Sequence, residues 1–448
     1  MIRKVSLFVL QKFTYKISDN RSEINIHGLC SQFDKICFYN SNKNKNKKNH
    51  NRFSKLIAIG TVNEIKTESK RNALHELQSF VSLKNDWLFG FLTYDLKNEI
   101  ENLDSKNSDS LHFPLLQFFV PKVVIQVEQN SAIVFYNDDF TKKEEAKYVV
   151  ELTFSKEIEH IQSIYAPEIK SKISKEEYLK SVSEIQQHIH RGEIYEMNFC
   201  TEFYTENTII NPCDLFEQLN SISEAPFSAF CKFDDHYLIS SSPERFLQKT
   251  GNTLISQPIK GTKKRSVDDA EDEALKNSLA QDSKEKNENV MIVDLVRNDL
   301  SKIAKQGSVT VDELFGVYTF KQVHQMISTI SCELKNGITL EEILRSTFPM
   351  GSMTGAPKVS AMKIIERYET TKRGLYSGAI GYITPEGDFD FSVVIRSILY
   401  NSLNHYLSFM VGSAITAKAN PEAEYNECLL KAKAIFEVLQ KSTSTTSE

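Results

Sequence analysis

Short strand-like runs in the first third of the sequence restrict the possible folds more than any other feature. Apolar and β-branched residues dominate Trp87–Asp95, Leu115–Val120, Val123–Val127 and Ala132–Tyr136. Runs of this length and composition predict β-strands. Met1–Leu10 starts like a signal peptide, but polar and charged residues cut the apolar run short, so we interpret it as a further strand.

Helices and strands alternate after this region. Ser174 has a glutamate, Glu177, three residues later, which is the spacing of a capping box at the start of a helix. Apolar residues then recur at helical spacing up to Gly192, and a strand is predicted from Ile194. The second part of the chain is therefore a mixture of both element types.

The chain divides into two expected regions joined by the charged stretch 142–172. The first is a strand-rich N-terminal region, 1–165, that packs on a catalytic domain, 174–440. With 448 residues and a hydrophobic content of 40%, the chain is long enough for one large domain with an N-terminal addition or for two domains. The Lys/Asn-rich tract Ser41–Asn51 has nothing to bury, and we expect a solvated loop there.

Composition argues against several classes of protein. The net charge of −5 disfavours a nucleic-acid partner, which requires a clustered basic face. No run of eighteen apolar residues occurs, so no membrane span is expected. The 7 cysteines show no C-x-x-C spacing, which favours reduced thiols and a cytoplasmic location.

A lysine stands between a proline and a glycine in the stretch Ser256–Thr262. Pro258 fixes its own φ, and Gly261 allows a ligand to approach the backbone closely. Lys260 is therefore predicted to be presented to a pocket. The common alternative for a lysine in such a turn is full solvation.

Two predicted helices carry glutamates three residues apart, so that each pair lies on one helical face. Asp282 is placed to cap the first helix and Asn420 to cap the second. Acid pairs of this kind are usually solvated surface, but hard carboxylate oxygens are also the ligands that Mg²⁺ prefers. The pairs are Glu285 with Glu288 and Glu424 with Glu427.

Six separate motifs occur between residues 174 and 433. They are SSPERF, PIKGT, KEKNENVMIVDLVRNDL, GSMTGAPK, VVIRS and NPEAEYNE. Their content and order resemble the chorismate-utilising enzymes, a family that includes the anthranilate, aminodeoxychorismate and isochorismate synthases. The resemblance implies an α+β fold of two packed antiparallel β-sheets flanked by helices, with the site in a cleft between them; the strand-rich start and the alternating second part agree with it.

The resemblance also implies a Mg²⁺ site and a proton donor. Glu288 and Glu427 match direct metal ligands, whereas Glu285 and Glu424 match residues that act through water. Glu244, in SSPERF, matches a glutamate near the ring hydroxyl of chorismate. Because partial burial raises the pKa of a carboxyl group, we expect Glu244 to be the general acid.

Further positions match residues that surround chorismate in the family. Tyr376 matches a tyrosine beside the enolpyruvyl group, and His324 matches a catalytic histidine near the ring. Arg396, in a strand predicted at Val393–Ser397, offers a forked donor to a carboxylate. The other expected substrate contacts are Thr262, Ser352, Gly412, Ser413 and Lys431.

Lys260 indicates which reaction the resemblance implies. A lysine in the PIKGT box is typical of aminodeoxychorismate synthases, where anthranilate synthases have alanine. The implied reaction converts chorismate and ammonia to 4-amino-4-deoxychorismate through a lysine adduct, on the route to 4-aminobenzoate and folate. Because no Cys–His–Glu glutaminase segment is recognisable, ammonia is expected from a partner glutamine amidotransferase.

Two departures from the family pattern keep alternatives open. Glu196 stands where the amidating members usually have glutamine and the isochorismate-forming members a lysine, and Ala414 replaces a second glycine. One alternative is the large component of anthranilate synthase, and the other is a non-catalytic regulatory subunit with the same fold. No L-L-E-S segment of the kind that binds tryptophan in anthranilate synthases is clear, which favours the folate branch.

Overall fold

The computed structural model describes most of the chain, namely residues 10–17, 23–42, 52–68, 71–156 and 168–444. Apart from Leu10, the strand predicted at Met1–Leu10 lies outside these residues, and so does most of the Ser41–Asn51 tract.

The first sheet of the described chain has 12 strands, and every pair in it is antiparallel. The strands are β1 (Leu10–Lys16), β2 (Lys35–Asn40), β3 (Lys55–Ile59), β7 (Val123–Val127), β8 (Ser131–Asn137), β9 (Lys170–Ser171), β10 (Glu196–Thr205), β11 (Phe227–Phe233), β12 (His236–Ser242), β18 (Gly355–Ala356), β21 (Ser397–Asn401) and β22 (Tyr406–Thr416). Their spatial order is β1-β8-β7-β3-β2-β11-β12-β21-β22-β10-β18, and β9 pairs with β10.

The second sheet has 10 strands within the same ranges and is also antiparallel throughout. Its strands are β4 (Asn63–Thr67), β5 (Leu88–Leu92), β6 (Leu116–Val120), β13 (Arg245–Thr250), β14 (Thr253–Gln257), β15 (Ile259–Lys264), β16 (Thr310–Thr319), β17 (Val323–Glu333), β19 (Ala379–Ile383) and β20 (Phe389–Val393). Their order is β15-β17-β14-β13-β20-β19-β5-β6-β4, and β16 pairs with β17.

Helices flank the two sheets. They are α1 (Ile26–Gln32), α2 (Ala73–Lys84), α3 (Lys97–Ile100), α4 (Lys143–Thr153), α5 (Lys175–His190), α6 (Pro212–Ser223), α7 (Asp269–Gln281), α8 (Ser283–Ser301), α9 (Leu340–Thr347), α10 (Lys358–Tyr368) and α11 (Pro421–Ser444), with 3₁₀ turns at Tyr94–Leu96 and Gly351–Met353. The capping box predicted for α5 is confirmed, because the Ser174 side chain accepts from the Glu177 amide and the Glu177 carboxylate accepts from the Ser174 amide. No described helix is long and apolar enough to cross a membrane.

Two hydrophobic cores hold these layers together. The first contains residues of both sheets, such as Leu238 of β12 and Phe91 of β5, and therefore lies between them. The second packs the other face of the first sheet against helices that include α5 and α11. Side chains of a strand alternate between its two faces, so Val411 of β22 joins the second core and its neighbour Met410 joins the first.

The predicted division between 1–165 and 174–440 does not correspond to separate sheets. Strand β2 pairs with β11 in the first sheet, and β5 pairs with β19 in the second. Both sheets thus combine strands from both regions. Part of the predicted linker, 142–172, forms helix α4, and residues 157–167 lie outside the described chain.

Candidate active site

Lys260 lies on β15, the strand at one edge of the second sheet. The next residue, Gly261, has a φ of 95°, and a Cβ atom there would lie 3.2 Å from the Cβ atom of Glu285 on α8. The close approach of β15 to α8 and the positive φ therefore both favour glycine at this position. This close packing presents the half-buried Lys260 to the carboxylates of α8.

Carboxylates from four separate segments surround Lys260. Burial alone would lower the pKa of Lys260, but these negative charges outweigh that effect and raise it above the usual lysine value. The amine is thus protonated at neutral pH in the free protein. In order of decreasing effect, the carboxylates are those of Glu196, Glu288, Glu244 and Glu427.

Glu244 lies in the short connection between β12 and β13, as the Pro243 turn predicts. Burial raises the pKa of its carboxyl group to about 7, although a hydrogen bond donated by Ser352 Oγ to Glu244 Oε1 (2.6 Å) opposes the shift. A cavity with an empty volume of about 350 Å³ adjoins this acid, and its lining includes Pro258 and Ser352. A carboxyl group with this pKa is suited to donate a proton near neutral pH.

The two glutamate pairs meet across α8 and α11, as the family resemblance implies. The half-exposed Lys284 ammonium lies 3.4 Å from Glu424 Oε1 and 3.7 Å from Glu288 Oε1. Glu288 Oε1 is buried and has no hydrogen-bond partner among the described residues. A positive charge is therefore already held between the two pairs.

Mutual repulsion within this cluster is visible in its pKa values. Burial, followed by the neighbouring carboxylate of Glu288, raises the pKa of Glu285 to about 7. Burial and then Glu427 likewise raise the pKa of Glu424. Glu427 itself forms an ion pair with Lys431 at 2.6 Å. Burial alone would raise the pKa of Glu427, but Lys431 and other ammonium groups outweigh burial and lower the pKa below its usual value.

The cluster suits a hard divalent cation in chemistry, but it is not a preassembled metal cage. Within the described ranges, no three His, Cys, Asp or Glu side chains converge closely enough to hold a metal ion. The carboxylates nevertheless include a buried oxygen of Glu288 that accepts no hydrogen bond from the described residues, and the ammonium of Lys284 supplies a positive charge between Glu288 and Glu424. These are oxygen ligands of the kind that Mg²⁺ uses.

Arg396, Tyr376 and Lys431 gather at the β22 side of the site. Arg396 is not in a strand as predicted, because it lies between β20 and β21 with a φ of 53°. Its Nη1 atom donates to the Lys431 carbonyl at 3.4 Å, and Lys431 Nζ donates to the Gly412 carbonyl at 2.8 Å. The Tyr376 hydroxyl lies 4.0 Å from Cys200 Sγ on β10.

Gly412 faces the same inner surface and is sterically required. A Cβ atom at Gly412 would lie 2.6 Å from Cys200 Sγ, which is closer than two such atoms can approach. Ala414, two residues later, pairs with Asn198 of β10 and faces the same way. The methyl group of Ala414 therefore points to the inner face of β22.

The side chains of two predicted site residues contact other parts of the protein. The two ring nitrogens of His324 are engaged by Asp272 of α7 (3.0 Å) and by Thr319 (3.0 Å), so the protein occupies both hydrogen-bonding positions of the expected catalytic histidine. Ser413 Oγ lies 2.9 Å from the Tyr178 hydroxyl in the second core, so its side chain faces away from the site. Strand alternation, which turns Ser413 opposite to Gly412, is the physical reason.

Gln325, the neighbour of His324, was not predicted to be a site residue. Its side chain is buried, its Oε1 has no partner in the described chain, and it pairs in register with the predicted substrate contact Thr262. No local signal distinguished Gln325, because polar residues such as His324 and Thr329 recur along β17.

Comparisons with known proteins agree with the geometry. A family model described as "chorismate binding enzyme" matches residues 34–437. The chain is 33% identical over 357 residues to aminodeoxychorismate synthase component 1 of Klebsiella aerogenes, covering 78% of this chain and 76% of that protein. It is 40% identical over 271 residues to the probable chloroplastic aminodeoxychorismate synthase of Oryza sativa subsp. japonica, covering 60% of this chain.

The chain spans less than two thirds of several curated relatives that it matches, including 30% of the rice protein and 59% of component 1 from Escherichia coli. Among solved structures, anthranilate synthase component I from Streptococcus pneumoniae superimposes with a TM-score of 0.74 at 26% identity, covering 84% of this chain and 91% of that one. The α+β fold of two antiparallel sheets is confirmed.

Proposed function

Since the chain belongs to the chorismate-binding enzyme family, we propose that it is the chorismate-binding component of an aminodeoxychorismate synthase. The observation that carries this proposal is Lys260. It is an amine set among carboxylates, with the general acid Glu244 among them. Relatives named aminodeoxychorismate synthase component 1 support the same activity.

The reaction would proceed by two displacements. The Lys260 amine forms a bond to C2 of chorismate while both ring double bonds shift and the C4–O bond breaks. Glu244 gives its proton to the departing hydroxyl, which leaves as water. Ammonia then forms a bond to C4, the double bonds shift back and the C2–N bond to Lys260 breaks. Covalent catalysis of this kind replaces one difficult displacement by two easier ones.

The carboxylates of α8 and α11 would hold Mg²⁺ in the working enzyme. Glu288 and Glu427 are the proposed direct ligands, with Glu285 and Glu424 acting through water. The bound ion supplies positive charge for a substrate carboxylate. Because Lys284 now bridges Glu288 and Glu424, its half-exposed side chain would have to turn outward when the cation binds.

Ammonia would come from a separate glutamine amidotransferase, in keeping with the word "component" in the relatives' names.

The proposed function is tested by product analysis with purified chain, chorismate, Mg²⁺ and an ammonium salt. We expect 4-amino-4-deoxychorismate, identified by liquid chromatography and mass spectrometry. Release of anthranilate and pyruvate would instead assign the chain to the anthranilate synthases.

A further inference from the structure

Glu196 is a buried acid with a carboxylate oxygen that the surrounding described residues leave without a hydrogen bond. It is the first residue of β10, is 1% exposed, and its Oε2 has no hydrogen-bond partner in the described chain. Asn198 and Cys200, which share its face of β10, lie near Met353 and Tyr376. Glu196 therefore faces the site. A buried carboxylate oxygen without a partner is costly, and such groups are often functional.

Lys260 is the ammonium group on which the charge of Glu196 acts. Four carboxylates face Lys260, namely Glu196 from β10, Glu244 from the connection after β12, Glu288 from α8 and Glu427 from α11. Of these, Glu196 has the largest effect on Lys260. No hydrogen bond or ion pair links either Lys260 or Glu196 to the four glutamates of α8 and α11 in the described chain.

The other three acids already have a task in the proposed reaction. Glu244 is the proton donor to the departing hydroxyl and is bonded to Ser352. Glu288 and Glu427 belong to the proposed cation site. Only the proton on the Lys260 ammonium lacks a destination, and it must leave before the nitrogen has a lone pair for attack.

We propose that Glu196 accepts this proton from Lys260 before the amine attacks chorismate and returns it when the amine departs. The inference rests on the proposed function. In the first step an N–H bond of Lys260 breaks, an O–H bond of Glu196 forms and the nitrogen bonds to C2. In the second step, ammonia bonds to C4 and the released lysine nitrogen recovers the proton from Glu196.

The proposed role of Glu196 predicts how the rate of adduct formation depends on pH. The reactive form, with a neutral amine and a protonated Glu196, has the same number of protons as the form with a Lys260 ammonium and a Glu196 carboxylate. Its population is therefore independent of pH wherever the pair retains one proton between its members. Without Glu196 the proton must pass to solvent, and the neutral amine becomes tenfold more abundant with each pH unit until Lys260 itself titrates.

The experiment is a single turnover of the full chain with chorismate and saturating Mg²⁺ but no ammonia, quenched and analysed by mass spectrometry for an adduct on the Lys260 peptide. In Glu196→Gln, which keeps the shape of the side chain, we expect adduct formation about 10²–10⁴-fold slower than wild type at pH 7. That rate should rise about tenfold per pH unit, whereas the wild-type rate should stay nearly constant.

Two further variants complete the test. Glu196→Asp keeps the carboxylate and should retain the flat profile even if its rate is lower. Glu202→Gln is the matched control, because Glu202 is also buried on β10 but accepts a hydrogen bond from Tyr406 at 3.0 Å, and its rate should equal that of wild type.

A Glu196→Gln variant with a wild-type rate and a flat profile would overturn the role of Glu196 and leave the proposed function intact. A wild-type protein that binds chorismate but forms no adduct would overturn both.

Discussion

Replacing Glu244 by glutamine should stabilise the folded protein at alkaline pH while removing the proposed general acid. Burial raises the pKa of Glu244 from the usual 4.5 to about 7 in the folded state. The folded protein therefore binds this proton more tightly than the unfolded chain does. The corresponding stability is fully present below pH 4.5 and is lost as the pH rises through about 7.

The expected magnitude follows from these two values. A separation of about 2.5 pH units between the folded and unfolded pKa values corresponds to about 3 kcal/mol in the free energy of unfolding. No discount for solvent screening is needed, because Glu244 is only 4% exposed. Glutamine stays neutral and its oxygen can still accept the hydrogen bond from Ser352, so Glu244→Gln should escape this loss.

The assay is urea unfolding of wild type and Glu244→Gln, followed by circular dichroism between pH 4.5 and 8.5. The two proteins should have similar free energies of unfolding near pH 4.5, and the variant should be about 3 kcal/mol more stable at pH 8.5. Ser352→Ala is the companion variant. Without the hydrogen bond from Ser352 the pKa of Glu244 should rise further, so the loss of folding stability should extend to higher pH. A difference between Glu244→Gln and wild type that is constant with pH would refute the reasoning.

Three further outcomes are expected. Lys260→Ala should fold and bind chorismate but form no adduct detectable by mass spectrometry, and an adduct elsewhere would exclude Lys260 as the nucleophile. Glu288→Gln and Glu427→Gln should each weaken Mg²⁺ binding at least tenfold in calorimetric titration, because each removes a charged ligand; unchanged affinity would remove that residue from the site. Gly261→Ala should lower the free energy of unfolding by about 1–3 kcal/mol, because the φ of Gly261 is unfavourable for a residue with a side chain and the added Cβ atom would lie 3.2 Å from the Cβ atom of Glu285. A variant as stable as wild type would contradict the close packing.

Features that depend on neighbours in sequence were predictable. The cap of α8 formed as expected, with the Asp282 side chain accepting from the Lys284 and Glu285 amides. Asn420 likewise accepts from the Ala423 amide at the start of α11. Each contact spans two or three residues, so the sequence contains all the information that determines it.

Features that depend on distant partners were not predictable in the same way. His324 is held by Asp272, which lies 52 residues earlier, so no local pattern shows that its ring is occupied. Ser413 faces the second core because β22 pairs with β10 in one particular register, and a shift of one residue would have turned it inward. The backbone of Arg396 turns between two strands where apolar neighbours had suggested a single strand.

The charge balance of the site explains why the substrate and the cation should bind cooperatively. The carboxylates around Lys260 repel one another, and in the free protein ammonium groups such as Lys284 offset that repulsion. An anionic substrate alone would add to the negative charge, whereas a divalent cation between α8 and α11 would remove it and free Lys284. In the proposed enzyme, each ligand would therefore lower the electrostatic cost of binding the other. By thermodynamic linkage, the factor by which Mg²⁺ strengthens chorismate binding must equal the factor by which chorismate strengthens Mg²⁺ binding.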